Sequence, residues 1–282
     1  MLRGVMAATR PIAPFVLVAA LSIAPCARAH DARPLVSDDA WHLFAVEVAR
    51  SEGVLASRLV SGAAEDERVD MSWYFFVAVG HDRVVLVDCA ADALADGGDE
   101  ARRAAWSVTR GTRVVPALAR LRLRPRDVTD VVLTHHHWDH VEGLVHFPRA
   151  RVHVHEREWA RVVEWVRAPF DERERVRPFT TRRRRVHDGM IATVAGRHTS
   201  HQLMVDVECA GHTVVIASDA AYLYRNVERG VAVTETASEA LNVRDVARAV
   251  ERVGRANVIP GHDPLVFERH PSPTEGVAAI CP

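Results

Sequence analysis

The segment Thr134-His135-His136-His137-Trp138-Asp139-His140 packs four histidines and a carboxylate into six consecutive positions, and it constrains this chain more than any other feature. Core packing gives no reason to collect imidazoles beside an aspartate. Metal coordination does, because imidazole and carboxylate together suit zinc and also iron or manganese. The apolar run Val128 to Leu133 reads as a buried strand that delivers the cluster at its C-terminal end. In an extended segment His135 and His137 project to one side, and a turn starting near His137 brings Asp139 and His140 to a second point close by. Two neighbouring metal positions follow, with His136 facing away from both.

The remainder of the chain reads as sheets flanked by helices in mixed order, an α/β layered architecture. Strands are expected at Leu43 to Val48, Trp73 to Val79, Val84 to Val87, Val152 to Val154, Ile191 to Val194, Leu203 to Val207, Thr213 to Ile216 and Val258 to Ile259, where β-branched and aromatic residues concentrate. Helical spacing marks Arg113 to Leu121 and Ala237 to Val253. It also marks Glu156 to Arg167, with Trp159, Val162, Val163 and Val166 on one face. The charged stretch 171–187, which includes Arg182 to Arg185, reads as a solvated loop or lid.

The chain has 282 residues, 48% of them hydrophobic, enough for a sizeable core, and no repeat or low-complexity linker divides it. Arg3 and Arg10 precede an apolar run from Ile12 to Ala24 that ends near Ala27-Arg28-Ala29, the pattern of a signal peptide over residues 1–29. The run is short of the ~20 apolar residues that a bilayer span requires. The expected mature product is therefore one domain over 30–282, periplasmic or secreted, with no stable membrane span. Acylation at Cys26 is the lipoprotein alternative, for which Pro25 is a poor neighbour. Cleavage removes three arginines and no acid, taking the formal charge from −1 to −4, which disfavours a nucleic-acid partner and leaves a small-molecule substrate. Cys89, Cys209 and Cys281 remain, so at most one internal disulfide can form and the fold is no disulfide scaffold.

The histidine segment resembles the His-x-His-x-Asp-His signature of the metallo-β-lactamase superfamily, and further segments resemble that family's later motifs in order. Gly196-Arg197-His198-Thr199 looks like its Gly-x-His-Thr loop, Ser218-Asp219 like its bridging aspartate, and Pro260-Gly261-His262-Asp263 like its last motif. Val84 to Asp88 resembles the early strand-plus-aspartate motif, with Cys89 and Ala90 where the family usually has Thr and Gly. The resemblance covers roughly Trp73 to Pro271 and implies an αββα sandwich, two mixed sheets with helices outside and metals at one edge. It further implies two divalent ions, zinc foremost. His135, His137 and His198 would hold one, Asp139, His140 and His262 the other, and Asp219 would bridge them. His153 and His155 mimic a His-x-His pair but have no family carboxylate partner, and they read as structural. His201 reads as an outer-shell or exposed residue.

Two such ions can lower the pKa of a shared water towards about 7 and polarise a carbonyl, which fits hydrolysis of an ester, thioester, lactone or amide. Asp139 can orient the water. Tyr222, three positions after Asp219, matches a tyrosine of the N-acyl homoserine lactonase branch, where the phenol assists ring opening; lactone hydrolysis is thus the expected activity. A β-lactamase is the first alternative, but enzymes of that kind typically lack the bridging aspartate. A glyoxalase-II-like thioesterase is the second, with no basic cluster evident in sequence for an acidic substrate. A non-hydrolytic redox module would need a flavin or a partner domain. Trp73, Tyr74, Phe75, Phe170 and Phe179 are candidate pocket aromatics.

Overall fold

The computed structural model describes residues 1, 40–166 and 175–282. The signal-peptide reading and Phe170 lie outside the described residues. From residue 40 onward the elements are β1 (His42–Leu55), β2 (Arg68–Gly80), β3 (Arg83–Val87), α1 (Glu100–Ala105), β4 (Val108–Gly111), α2 (Val114–Ala119), β5 (Asp130–Val132), α3 (Trp138–Val141), β6 (Arg151–His155), α4 (Glu156–Val162), β7 (Val176–Phe179), β8 (Arg183–His187), β9 (Met190–Val194), β10 (Leu203–Cys209), β11 (His212–Ser218), α5 (Tyr224–Arg229), α6 (Glu239–Val253), β12 (Val258–Pro260), α7 (Val266–Arg269) and β13 (Val277–Cys281). One sheet runs β13-β1-β2-β3-β5-β6-β7, with β4 added on β1, and the other runs β12-β11-β10-β9-β8. Both are mixed: β3, β5, β6 and β7 pair in parallel, as do β11 and β12, while the remaining pairings are antiparallel.

The period-two alternation of strand side chains explains the layers. Phe76, Val87 and Val132 face inward and meet Ala192, Val205 and Ile216 of the other sheet. Their neighbours Phe75, Leu86 and Val131 face outward onto Val114 and Leu118 of α2, Val141 of α3 and Val162 of α4. On the far side Val215 and Ala217 pack against Val246 and Ala249 of α6, whose N-cap Ser238 accepts a hydrogen bond from the Leu241 amide. This is the αββα sandwich. Cys209, at the end of β10, is disulfide-bonded to Cys281, at the end of β13, and so links the two sheets; Cys89 is free and buried.

Several local expectations change. The stretch expected as a solvated loop contains two strands, β7 and β8, each at the edge of its sheet. Arg183, Arg184 and Arg185 are exposed on β8, which is how an edge strand resists pairing with another chain, and only Val186 turns into the core. The helix expected over Glu156 to Arg167 ends as α4 at Val162. Val162 is buried, but Val163 is exposed, so the apolar positions do not continue as one face. Of the candidate pocket aromatics, Phe75 packs in the outer core, and Tyr74 and Phe179 between the sheets. α1, β4, α3, α5, α7 and β13 are short pieces that no long periodic pattern announces.

Candidate metal centre

The parallel strands deliver their loops to one edge. Asp88 follows β3, Thr134 to His140 follow β5, Asp219 follows β11 and His262 follows β12. Backbone hydrogen bonds lock these loops together: Asp88 N to Val132 O, Cys89 N to His140 O, and His262 N to Tyr222 O, all 2.8–2.9 Å. Asp88, Ala90, Arg197 and Ser218 all hold positive φ, 62°, 52°, 62° and 47°, a conformation that costs an L-residue energy and gathers at functional sites. Ala90 thus occupies the left-handed turn for which the related motif uses Gly. At Gly261 the loops come so near that a Cβ would lie 2.9 Å from Asp219 Oδ1.

Two groups of donors result. His135, His137, His198 and Asp219 place one ligand atom each within 4.8 Å of the others, and so do Asp139, His140, Asp219 and His262. Asp219 belongs to both. Its Oδ2 lies 3.6 Å from His135 Nε2 and 3.5 Å from His198 Nε2, while its Oδ1 lies 3.2 Å from His140 Nε2 and 3.1 Å from His262 Nε2. Asp139 Oδ2 is 3.2 Å from His140 Nε2. His135 Nε2, His140 Nε2, His262 Nε2 and Asp219 Oδ1 are buried without a hydrogen-bond partner among the described residues. An orphaned buried polar atom costs about 1–3 kcal/mol, and four spread over the two groups fit cations that would satisfy them.

The rings are held from behind, which fixes the nitrogen left free to ligate. His135 Nδ1 lies 3.0 Å from Thr134 Oγ1, which in turn donates to Asp88 Oδ2 at 2.8 Å, and His140 Nδ1 lies 2.8 Å from the same Asp88 oxygen. His198 Nδ1 donates to the Glu235 carbonyl at 2.6 Å and His262 Nδ1 to the Ser72 carbonyl at 3.1 Å. Burial lowers the pKa values of His135, His137 and His198 and keeps these rings in the neutral form that ligates. For His140, burial is outweighed by Asp219, Asp139 and Asp88, which hold it well above its ordinary value. Burial likewise opposes ionisation of Asp219, yet His140 and His262 keep it well below the usual carboxylate range. Three carboxylates around one buried imidazole call for a positive charge, and a metal ion supplies it as well as a proton does.

One organising residue escapes sequence reasoning. Glu158, buried in α4, accepts from the His136 amide (3.2 Å), Thr199 Oγ1 (2.8 Å) and the His201 amide (3.0 Å), and its Oε2 lies 2.5 Å from His136 Nδ1. It thereby ties the loop carrying His135 and His137 to the loop carrying His198. A lone Glu in an amphipathic stretch gives no sign of this in sequence. His153 Nε2 lies 2.8 Å from Asp130, a carboxylate outside the family motifs, while His155 accepts from the Arg157 amide and stacks on His201, 4.3 Å between ring centroids. Tyr222 is buried with its ring centroid 5.6 Å from those of both His198 and His262, and its Oη is 3.4 Å from His198 Nδ1. Burial, reinforced by Asp219, pushes its phenol well above the ordinary value. Trp73 stands edge-on to His262 at 5.1 Å.

The family model for the metallo-beta-lactamase superfamily matches residues 68–262. The chain belongs to that superfamily. Together with its two groups of side chains that could hold a metal ion, this makes it a metal-dependent hydrolase. A search of curated proteins finds no match. Among solved structures the chain is similar to a probable metal-dependent hydrolase from Staphylococcus aureus, with 15% identity, TM-score 0.67 and coverage of 79% of this chain and 89% of that one. A variant of AiiA from B. thuringiensis with N-decanoyl-L-homoserine at its active site gives 16% identity, TM-score 0.66 and coverage of 83% and 98%. AidC, a dizinc quorum-quenching lactonase in complex with a product, gives 13%, 0.61, and coverage of 85% and 90%. At these identities the likeness to the solved structures is one of fold.

Proposed function

We propose that this superfamily member is an exported hydrolase that uses two divalent metal ions, zinc foremost with iron or manganese as alternatives, to open lactones of the N-acyl homoserine type. The observation that carries the lactone reading is Tyr222, whose ring reaches towards both donor groups across Asp219. The fold likeness to AiiA and AidC, whose structures hold an acyl homoserine and a lactonase product, supports it. Asp219, with one oxygen towards each group, supports two ions and disfavours the β-lactamase alternative. The Cys209–Cys281 bond supports export, because disulfides persist in oxidising compartments.

Bound at the two groups, the ions would supply Lewis acidity to a carbonyl oxygen and lower the pKa of a water towards about 7. His135, His137 and His198 would hold one and Asp139, His140 and His262 the other, with Asp219 between. Asp139, the more open of the two carboxylates in the groups, accepts a hydrogen bond from the attacking water and turns it towards the acyl carbon. Tyr222 Oη donates to the carbonyl or ring oxygen as the acyl–oxygen bond breaks, which leaves a hydroxy acid. Trp73 is itself buried in the outer core, with Trp138 and Trp106 at 5.8 and 5.2 Å, and backs His262 from that side. Tyr222→Phe is expected to lower lactone kcat about tenfold to a hundredfold with little change in bound metal. Unchanged turnover would remove the tyrosine from the mechanism.

One feature favours a second reading, a hydrolase of acid-bearing substrates such as thioesters. Arg157, Arg182 and Arg197, against the single acid Glu156, line a cavity of about 380 Å³ together with Ser200 and His201, which follow directly on the His198 loop. Sequence order scatters these arginines, so the basic cluster is visible only in the fold.

A further inference from the structure

The edge of the sandwich opposite the metal centre carries another group of ligating side chains. Asp130 opens β5, His153 lies in β6 in register with Val132, and His187 closes β8 in the other sheet. Their donor atoms lie within 4.8 Å of one another. Asp130 Oδ1 is 2.8 Å from His153 Nε2, and its Oδ2 is 3.3 Å from His187 Nε2. Asp130 precedes His135 by five residues, roughly 16 Å of extended strand, and the two centres share no residue.

An ion-pair network explains part of this arrangement. Asp130 accepts from His153 Nε2, and Arg83 Nη1 lies 3.2 Å from its other oxygen. What the network leaves over among the described residues is His187 Nε2, a buried nitrogen 3.3 Å from a buried carboxylate but without a hydrogen-bond partner, and His153 Nδ1, which is likewise buried without a partner. Two imidazoles and a carboxylate form a zinc-type donor set with a fourth position for water. The approach is from the side of Arg83, whose side chain is 36% exposed and can swing into solvent, while that of His187 is 14% exposed. We propose that Asp130, His153 and His187 form a separate structural site for a divalent ion of the zinc class, which clamps the two sheets at the edge away from the catalytic centre.

The test uses the full chain, stripped with a chelator, reloaded with zinc alone and counted by elemental analysis. His187→Gln and His153→Gln should each retain one zinc ion fewer than the parent chain, with hydrolysis of a reporter ester unchanged and a smaller zinc-dependent rise in Tm. His137→Ala, altered at the catalytic edge, should still lose one further ion when His187→Gln is added, which separates this site from the catalytic one. Should His153→Gln fail to fold, His187→Gln, on an edge strand and partly exposed, decides alone. Equal zinc counts in the parent chain and His187→Gln would overturn the proposal, even if the variant were less stable, because a stability loss alone is what an ion-pair network gives.

Discussion

Single residues hold this candidate centre through contacts behind the donor side chains as much as through those side chains themselves. Glu158 accepts hydrogen bonds from both loops that carry the first group of donors, so Glu158→Gln should loosen them together. The expected result is metal retention weakened by about 10–100-fold in chelator competition, with kcat falling in parallel. Retention equal to the parent chain would reduce Glu158 to a packing residue. Gly261 is the corresponding point for the second group. Its Cβ-free backbone lets the His262 loop approach Asp219, and in Gly261→Ala the new methyl would meet Ser218 backbone atoms at 2.8–2.9 Å as well as Asp219 Oδ1. That variant should displace Asp219 and lower activity at least tenfold even with metal in excess, as misplacement near 1 Å costs about a hundredfold.

At the scale of elements, strands with dense β-branched and aromatic residues were legible in sequence, as were helices α2 and α6, because each carries a period long enough to read. The ligand loops were legible for a different reason: histidines and aspartates directly after apolar runs have few other uses. What sequence did not display were short elements and cross-chain partnerships. β7 and β8 were hidden by arginines whose exposure looks the same on an edge strand as on a loop, and the Asp130–His153 contact joins residues 23 apart that only parallel pairing of β5 and β6 brings together. The pairing of Cys209 with Cys281 belongs to this class, since three cysteines allow three pairings. It ties β10 to β13 across the sheets. Cys281→Ser should therefore cost about 2–4 kcal/mol of unfolding free energy, read in denaturant melts, and a reductant should lower the stability of the parent chain but not of the variant. Reductant-insensitive stability in the parent chain would contradict a structural role for the bond.

On the scale of the whole molecule, the sandwich gathers loops from both sheets at one edge, and that edge carries the two donor groups, with Asp219 common to both and Tyr222 beside His198 and His262. The superfamily sets the metal-dependent hydrolysis; the tyrosine argues for a lactone, while the arginine-bearing cavity beside the His198 loop argues for an acidic substrate. The decisive measurement is the relative kcat/KM of the zinc-loaded protein on acyl homoserine lactones of short and long chain, a simple aryl ester, a thioester and a chromogenic β-lactam. Lactones hydrolysed fastest, with turnover lost in His137→Ala, is the predicted result. Preference for the thioester or the β-lactam would contradict the lactonase assignment and move the substrate argument from Tyr222 to the basic cavity or to neither.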